Sequence, residues 1–385
     1  MWTLFIELLY KMVERKKCVV CEQQCFTHVY NVEMPISLAT CAVPVEHQTE
    51  TMHFVECSEC KTIQLRTLIE PTVLYNKHTN HNSKVVGSTW RTHYDRFVNS
   101  FGDVFDKRIL EIGSSSDKIL EHVKTYRTYT IVDPSIEDHD FSRYPAVTCV
   151  KEFFEDYATD EQYDLIVSSH FFEHVYQPLE TLRKMKSMLV DGGHIIMSVP
   201  NLEEENNTFL GMHFEHTYHA NRSNIREMCE RSSLRIEAIE FYEKHSVFYR
   251  ITHDNSPPFS LTPHPAGDGV SSFKDMFTQQ TNAMLHKIDR FNSSYDENST
   301  YFIFGCHFRT QAYLHMGLDP ERFEYVLDND VNKQNKHFYG TPLECKTVHI
   351  LSTYDGPLYV FVDISAYTDE VKRQLTTLFP HVHII

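Results

Sequence analysis

Two Cys-x-x-Cys pairs, Cys18-Val19-Val20-Cys21 and Cys57-Ser58-Glu59-Cys60, constrain this chain more than any other feature of its sequence. Each pair puts two thiolates on one side of a tight turn, and two such pairs close a tetrahedral shell of four sulfurs around Zn²⁺. With all four positions filled by protein the expected site is structural, because catalytic zinc keeps one position open. The plainer alternative is scattered thiols, since Cys25, Cys41, Cys149, Cys229, Cys306 and Cys345 raise the count to ten.

At 385 residues the chain calls for two or three domains. Its 36 basic and 53 acidic side chains give a net charge of −17, which disfavours nucleic-acid backbones and anionic membranes as partners. The apolar opening, Met1 to Tyr10, is short and interrupted by Glu7, so neither a membrane span nor a secretory signal is expected. Thiol usage then points to a reducing cytoplasm.

Residues 1–70 carry the cysteines among short β-rich pieces, the texture of a small domain in which metal substitutes for a large core. A polar, aromatic stretch follows to about 105, with Tyr75, His78, His81, Trp90, His93 and Tyr94, and is expected to be a helical connection. Strand and helix patterns then alternate. Apolar runs at Arg108–Ile112, Tyr129–Asp133, Tyr163–Val167 and Gly193–Val199 predict strands, and Leu179, Leu182, Met185 and Leu189 recur at helical spacing between the last two. That alternation implies an α/β fold with a parallel, doubly wound sheet that binds ligands at the carboxyl ends of its strands. A proline-rich break from Asn255 to Gly267 precedes a helix at about 271–291, with Phe273, Met276, Phe277 and Ile288 as core candidates. Further strands, Tyr301–Gly305, Tyr325–Asp328 and Leu358–Asp363, predict a second small α/β unit. The expected division is 1–70, 71–250, a linker and helix at 251–299, and 300–385.

The chemistry-bearing residues fall at predicted strand ends. Glu111-Ile112-Gly113 closes the first strand and Asp133 the second, placing a turn and an acceptor on one crevice. The turn, Gly113-Ser114-Ser115-Ser116-Asp117, lacks the Gly-x-Gly-x-x-Gly of a dinucleotide site and has serines without glycine's freedom at positive φ. After the strand from Tyr163, the loop brings His170, Glu173 and His174 to the sheet's edge, as base or ligand-orienting groups or as braces for the next helix. In His213-Phe214-Glu215-His216-Thr217-Tyr218-His219, His213 and His216 have metal-ligand spacing, while Glu215 and His216 suit an acid/base pair in which the carboxylate tunes the imidazole toward neutrality. A solvated polar loop is the third possibility, and the His-Glu-x-x-His order of a zinc protease is absent.

Taken together, these stretches, with Val132-Asp133-Pro134-Ser135, Val326-Leu327-Asp328-Asn329-Asp330, Lys333-Gln334 and Gly340-Thr341-Pro342, resemble the three-domain sugar C-methyltransferases. The resemblance runs over nearly the whole chain. It implies a small N-terminal zinc-binding domain, a central class I (Rossmann-like) methyltransferase domain and a C-terminal Rossmann-like α/β domain. It further implies S-adenosyl-L-methionine as cofactor and a dTDP- or UDP-linked 4-keto deoxysugar as substrate. Carried onto this chain, it gives structural Zn²⁺ to Cys18, Cys21, Cys57 and Cys60. Cofactor contacts fall to Glu111, Gly113, Ser114, Asp133, Pro134 and His170. His216 becomes the base, Glu215 its orienting partner, and His170 or Tyr75 the donor to an enolate oxygen, while Lys333 lies in the domain that closes over the substrate. Two stretches depart from the family: its Gly-Ser-Asn-Asp-Gly turn is Gly113–Asp117 here, and its Tyr-His-Glu-His is His213-Phe214-Glu215-His216. Sugar O-methylation on the same fold and a non-catalytic sugar-nucleotide scaffold are the alternatives.

Overall fold

The structure is a computed structural model that describes residues 12–37, 40–44, 48–75, 88–114, 116, 118–136, 141–202, 212–243, 245–254, 269–364 and 367–385. The opening segment to Tyr10, His78, His81, Ser115, Asp117 and the proline-rich stretch from Asn255 to Gly267 lie outside the described residues, as do the side chains of Phe273 and Met276.

The centre of the molecule is a seven-stranded sheet of β1 (Arg108–Ile112), β2 (Thr128–Val132), β3 (Val147–Val150), β4 (Tyr163–Ser169), β5 (Leu189–Pro200), β6 (Leu234–Tyr242) and β7 (Ser246–His253). Its order is 3-2-1-4-5-7-6. Neighbours from β3 to β5 pair in parallel, and β7 runs antiparallel to both β5 and β6. Both faces of β1 are covered: Leu110 and Ile112 enter one core, and Ile109 enters a second with Phe97 and Tyr129. This double burial is why β1 is an unbroken apolar run rather than an alternating one. The helix Pro178–Ser187 starts on a proline and buries Leu179, Leu182 and Met185, matching the spacing in the sequence. Leu189 differs: it begins β5, where it pairs with Tyr163 across the parallel ladder. The helical period continued by chance across the Met188 cap.

The N-terminal region forms an antiparallel sheet of Phe26–Pro35, Thr49–Cys57 and Ile63–Leu65. Its fourth strand, Tyr218–His219, arrives from the central region. The buried Arg15 guanidinium fastens this junction by donating to the carbonyls of Thr217 (2.6 Å) and Tyr176 (2.9 Å).

The C-terminal unit is a five-stranded parallel sheet, in order Cys345–Lys346, Val326–Leu327, Thr300–Phe304, Leu358–Phe361, His383–Ile384. One face packs Phe302, Leu327 and Leu375 into a core of its own. Its other face, with the helix Gly269–Ser294, joins the N-terminal sheet: Val29, Phe54, Leu65, Met284, Tyr301 and Phe361 belong to one cluster. Two further ties cross between these regions, the strand pair of His337–Phe338 with Thr40–Cys41 and the Gln311 amide on the Ser37 carbonyl (2.8 Å). Among the described residues no helix is long and apolar enough to cross a membrane.

Candidate active site

A cavity of about 470 Å³ opens at the carboxyl ends of β1, β2 and β4, a size suited to a small organic ligand. Gly113, Val132, Asp133, Pro134 and Phe154 line one end, and Tyr75, His174, Tyr176 and Glu215 line the other. Gly113 ends β1 at φ +78°, and a Cβ there would meet the Phe171 side chain at 2.5–2.7 Å. The turn therefore needs glycine both for its backbone and for the close approach. Asp133 follows β2, and its carboxylate accepts from the Ser135 N–H (2.7 Å). Burial pushes its carboxyl up to about 6, opposed by that N–H.

Two residues expected at the cofactor do not reach the cavity. Glu111 is fully buried inside the sheet, where it accepts the Tyr129 hydroxyl (2.6 Å). Glu111 lies within the ladder, paired with Val167 and Ile131, whereas Gly113 sits beyond the strand's end at the crevice. Ser114 spends its hydroxyl on the Ser116 carbonyl (2.8 Å), bracing the turn from within.

The other end of the cavity is built from three distant segments. Tyr75 caps the short helix Pro71–Leu74, His174 ends a 3-10 turn after β4, and Glu215 lies in the loop before Tyr218. His174 Nδ1 is 3.1 Å from the Tyr75 hydroxyl and 3.7 Å from Glu215 Oε2. Burial, reinforced by Glu215, pushes the Tyr75 phenol well above its usual range, so it keeps its proton.

His216, expected to be the base, is buried behind His174 at a ring separation of 5.1 Å and does not line the cavity. The carboxylate near its Nε2 is Glu173 (4.0 Å), while Glu215 approaches His174 instead. Burial, with His213 and His174 alongside, pushes His216 well below the ordinary imidazole range rather than toward neutrality. The His213 and His216 rings lie 4.1 Å apart, and one ligand atom each of Glu173, His174 and His216 lies within 4.8 Å of the others.

His170 lines the cavity, but its Nδ1 is 3.2 Å from Glu173 Oε1 and its Nε2 is 3.0 Å from Ser246 Oγ. Lys333 lies apart from the cavity, donating to the Cys306 carbonyl (2.9 Å) and Asp328 (3.2 Å). The sequence reading placed His174 in the loop without choosing it. Its neighbours Tyr75 and Glu215 are too distant along the chain for spacing to connect them.

The four cysteines converge as expected. Cys18 Sγ is 3.4 Å from Cys60 Sγ, Cys21 Sγ is 3.3 Å from Cys57 Sγ, and all four sulfurs lie within 4.8 Å of one another. A donor set of this composition and closeness fits a tetrahedral thiolate site. It packs against the central sheet, and Asn224 on the helix Arg222–Arg231 donates to the Cys60 carbonyl (3.1 Å).

Residues 88–239 match the family model described as a methyltransferase domain. Together with the 3-2-1-4-5-7-6 sheet, in which β7 alone is reversed, this defines a class I, Rossmann-like methyltransferase domain at the centre of the chain. No curated protein matches the sequence. Among solved structures the chain is similar to the N-methyltransferase NodS from Bradyrhizobium japonicum WM9 in complex with S-adenosyl-L-homocysteine. The identity is 17%, covering 43% of this chain and 88% of NodS, at a TM-score of 0.35. It is also similar to an S-adenosylmethionine-dependent methyltransferase from Clostridium acetobutylicum ATCC 824, at 11% identity over 44% of this chain and 93% of that one, TM-score 0.35. The mitomycin 7-O-methyltransferase MmcR is similar at 12% identity over 43% of this chain and 55% of its own, TM-score 0.38.

Proposed function

We propose that this protein is an S-adenosyl-L-methionine-dependent methyltransferase that methylates C3 of a dTDP- or UDP-linked 4-keto deoxysugar. The observation that carries the reading is one continuous cavity joining the Gly113 and Asp133 end to the Tyr75, His174 and Glu215 end.

Adenosylmethionine bound beside β1 and β2 supplies an electrophilic methyl group. Asp133 would accept its ribose hydroxyls, and Gly113 and Pro134 would shape the wall beside it. At the far end, a ketone at C4 of the sugar acidifies the proton at C3. His174 is placed to remove that proton through Nε2, with its Nδ1–H held by the Tyr75 oxygen and Glu215. The Tyr75 hydroxyl, which lines the cavity and keeps its proton, would donate to the developing enolate oxygen. His216 and Glu173 act behind them as positioning residues, keeping the His174 ring in place. The cavity walls would hold C3 of the sugar toward the Gly113 and Asp133 end and limit the water around it. Cys18, Cys21, Cys57 and Cys60 would hold a structural Zn²⁺.

Deuterium exchange at C3 tests the assignment, using dTDP- and UDP-linked 4-keto deoxysugars in D₂O without adenosylmethionine. The wild type is expected to catalyse exchange and His174→Ala to lower it by about 10²-fold or more, with adenosylhomocysteine binding retained. His216→Ala should lose less. Exchange abolished in His216→Ala but kept in His174→Ala would return the base to His216. Methyl transfer without any exchange would favour O-methylation.

A further inference from the structure

We propose that His93, His170 and His245 form a second metal site in this chain, a three-imidazole centre for a divalent transition metal such as Zn²⁺. The inference does not depend on the substrate.

The three rings come from separate elements: His93 from the helix Ser88–Asn99, His170 from the residue after β4, and His245 from the turn between β6 and β7. One nitrogen of each lies within 4.8 Å of a nitrogen of the other two. Their ring centres are 5.6, 5.8 and 5.3 Å apart. With metal–nitrogen bonds of about 2.0–2.1 Å, tetrahedral imidazole ligands place their ring centres roughly 5 Å apart, so modest contraction suffices. His170 holds φ +51°, a left-handed conformation that is uncommon for a residue with a Cβ and recurs at ligand sites.

His93 has what a metal-binding imidazole requires, one nitrogen anchored outward and the other without a partner, while His170 has its outward anchor. His93 places Nε2 3.0 Å from Ser198 Oγ, and its buried Nδ1 has no hydrogen-bond partner. His170 turns Nδ1 to the carboxylate of Glu173, the arrangement of a carboxylate–histidine–metal triad. Glu173 is 5% exposed, and neither of its oxygens makes a hydrogen bond of normal geometry. A cation on His170 would supply this buried anion with positive charge through the ring. The Ser246 hydroxyl, 3.0 Å from His170 Nε2 and 2.6 Å from His245 Nδ1, is a fourth polar group at the centre. Trp90 packs edge-on to all three rings at 4.9–5.1 Å.

The competing arrangement is one in which Ser246 alone links two of the rings and no ion binds. The test uses the full chain stripped with a chelator, loaded with Co²⁺ and desalted. Metal content is read by mass spectrometry and ligand type from the absorption spectrum. The expected result is one retained equivalent without sulfur-to-cobalt charge transfer, lost in His245→Ala and in His93→Ala, while the thiolate band is unchanged in both. His245 lies in a turn, so its variant keeps the test informative should the buried His93→Ala fail to fold. Retained cobalt that shows only thiolate charge transfer, or a histidine-type equivalent that survives His245→Ala, would overturn the proposal.

Discussion

Asp133 carries the clearest electrostatic consequence of the site. Its folded pKa of about 6 lies above the roughly 3.9 of an unfolded aspartate. The group therefore favours the folded state below about pH 4, and that contribution is lost as the pH rises through about 6. In the proposed function ribose hydroxyls would donate to the ionised carboxylate, so cofactor binding would run the other way. Calorimetry with adenosylhomocysteine should show affinity rising between pH 5 and 7.5, and Asp133→Asn should be both weaker and flat across that range. An unchanged pH profile in the variant would remove Asp133 from the pocket. Gly113 makes the steric counterpart. Gly113→Ala puts a Cβ into Phe171 and a side chain at positive φ, costing about 1–3 kcal/mol. A lowered melting temperature together with lost adenosylhomocysteine binding is expected. Both residues were legible in the sequence because each ends an apolar run. Glu111 is two residues earlier and paired on both sides within the sheet, and an apolar run does not mark where its ladder stops and the crevice begins.

At the scale of elements, the cysteine site ties loops to the central domain as well as to each other. Cys57 ends a strand of the N-terminal sheet, Val19 N–H donates to Gln64 Oε1 (3.0 Å), and Asn224 reaches the Cys60 carbonyl from its helix. Stripping metal with a chelator should raise hydrogen exchange in residues 18–25 and 57–65 and in the helix Arg222–Arg231, leaving β2 and β3 as protected as before. Exchange confined to the two knuckles would show that Asn224 does not transmit the change. Four of the parallel strands, β1, β2, β4 and β5, followed from their apolar runs and the helix Pro178–Ser187 from its apolar stripe, whereas β3, which buries none of its residues, was not foreseen. The strand Tyr218–His219 was hidden because two residues carry no period, and it exists only by pairing with Ile63–Gln64. His174, Tyr75 and Glu215 were obscured likewise, as their meeting is made by tertiary packing.

Over the whole molecule, the division into successive stretches of sequence does not correspond to separate cores. Val29 and Phe54 near the start share a cluster with Met284, Tyr301 and Phe361 near the end, and the cysteine knuckles share one with the central sheet. Hydrophobic periodicity reports that a face is apolar and cannot name its partner. A chain ended after Ser294 should leave that N-terminal face uncovered and be recovered as aggregate. A soluble monomer from that truncation, melting in one sharp step by calorimetry, would refute the shared core. The same arrangement has a consequence for biosynthesis. A ribosome delivers Phe54 long before Tyr301 and Phe361, so this sheet is made well before the residues that seal it. Nascent chains of intermediate length should therefore engage chaperones through the face formed by Val29, Phe54 and Leu65, and be released once the final parallel sheet has closed over it.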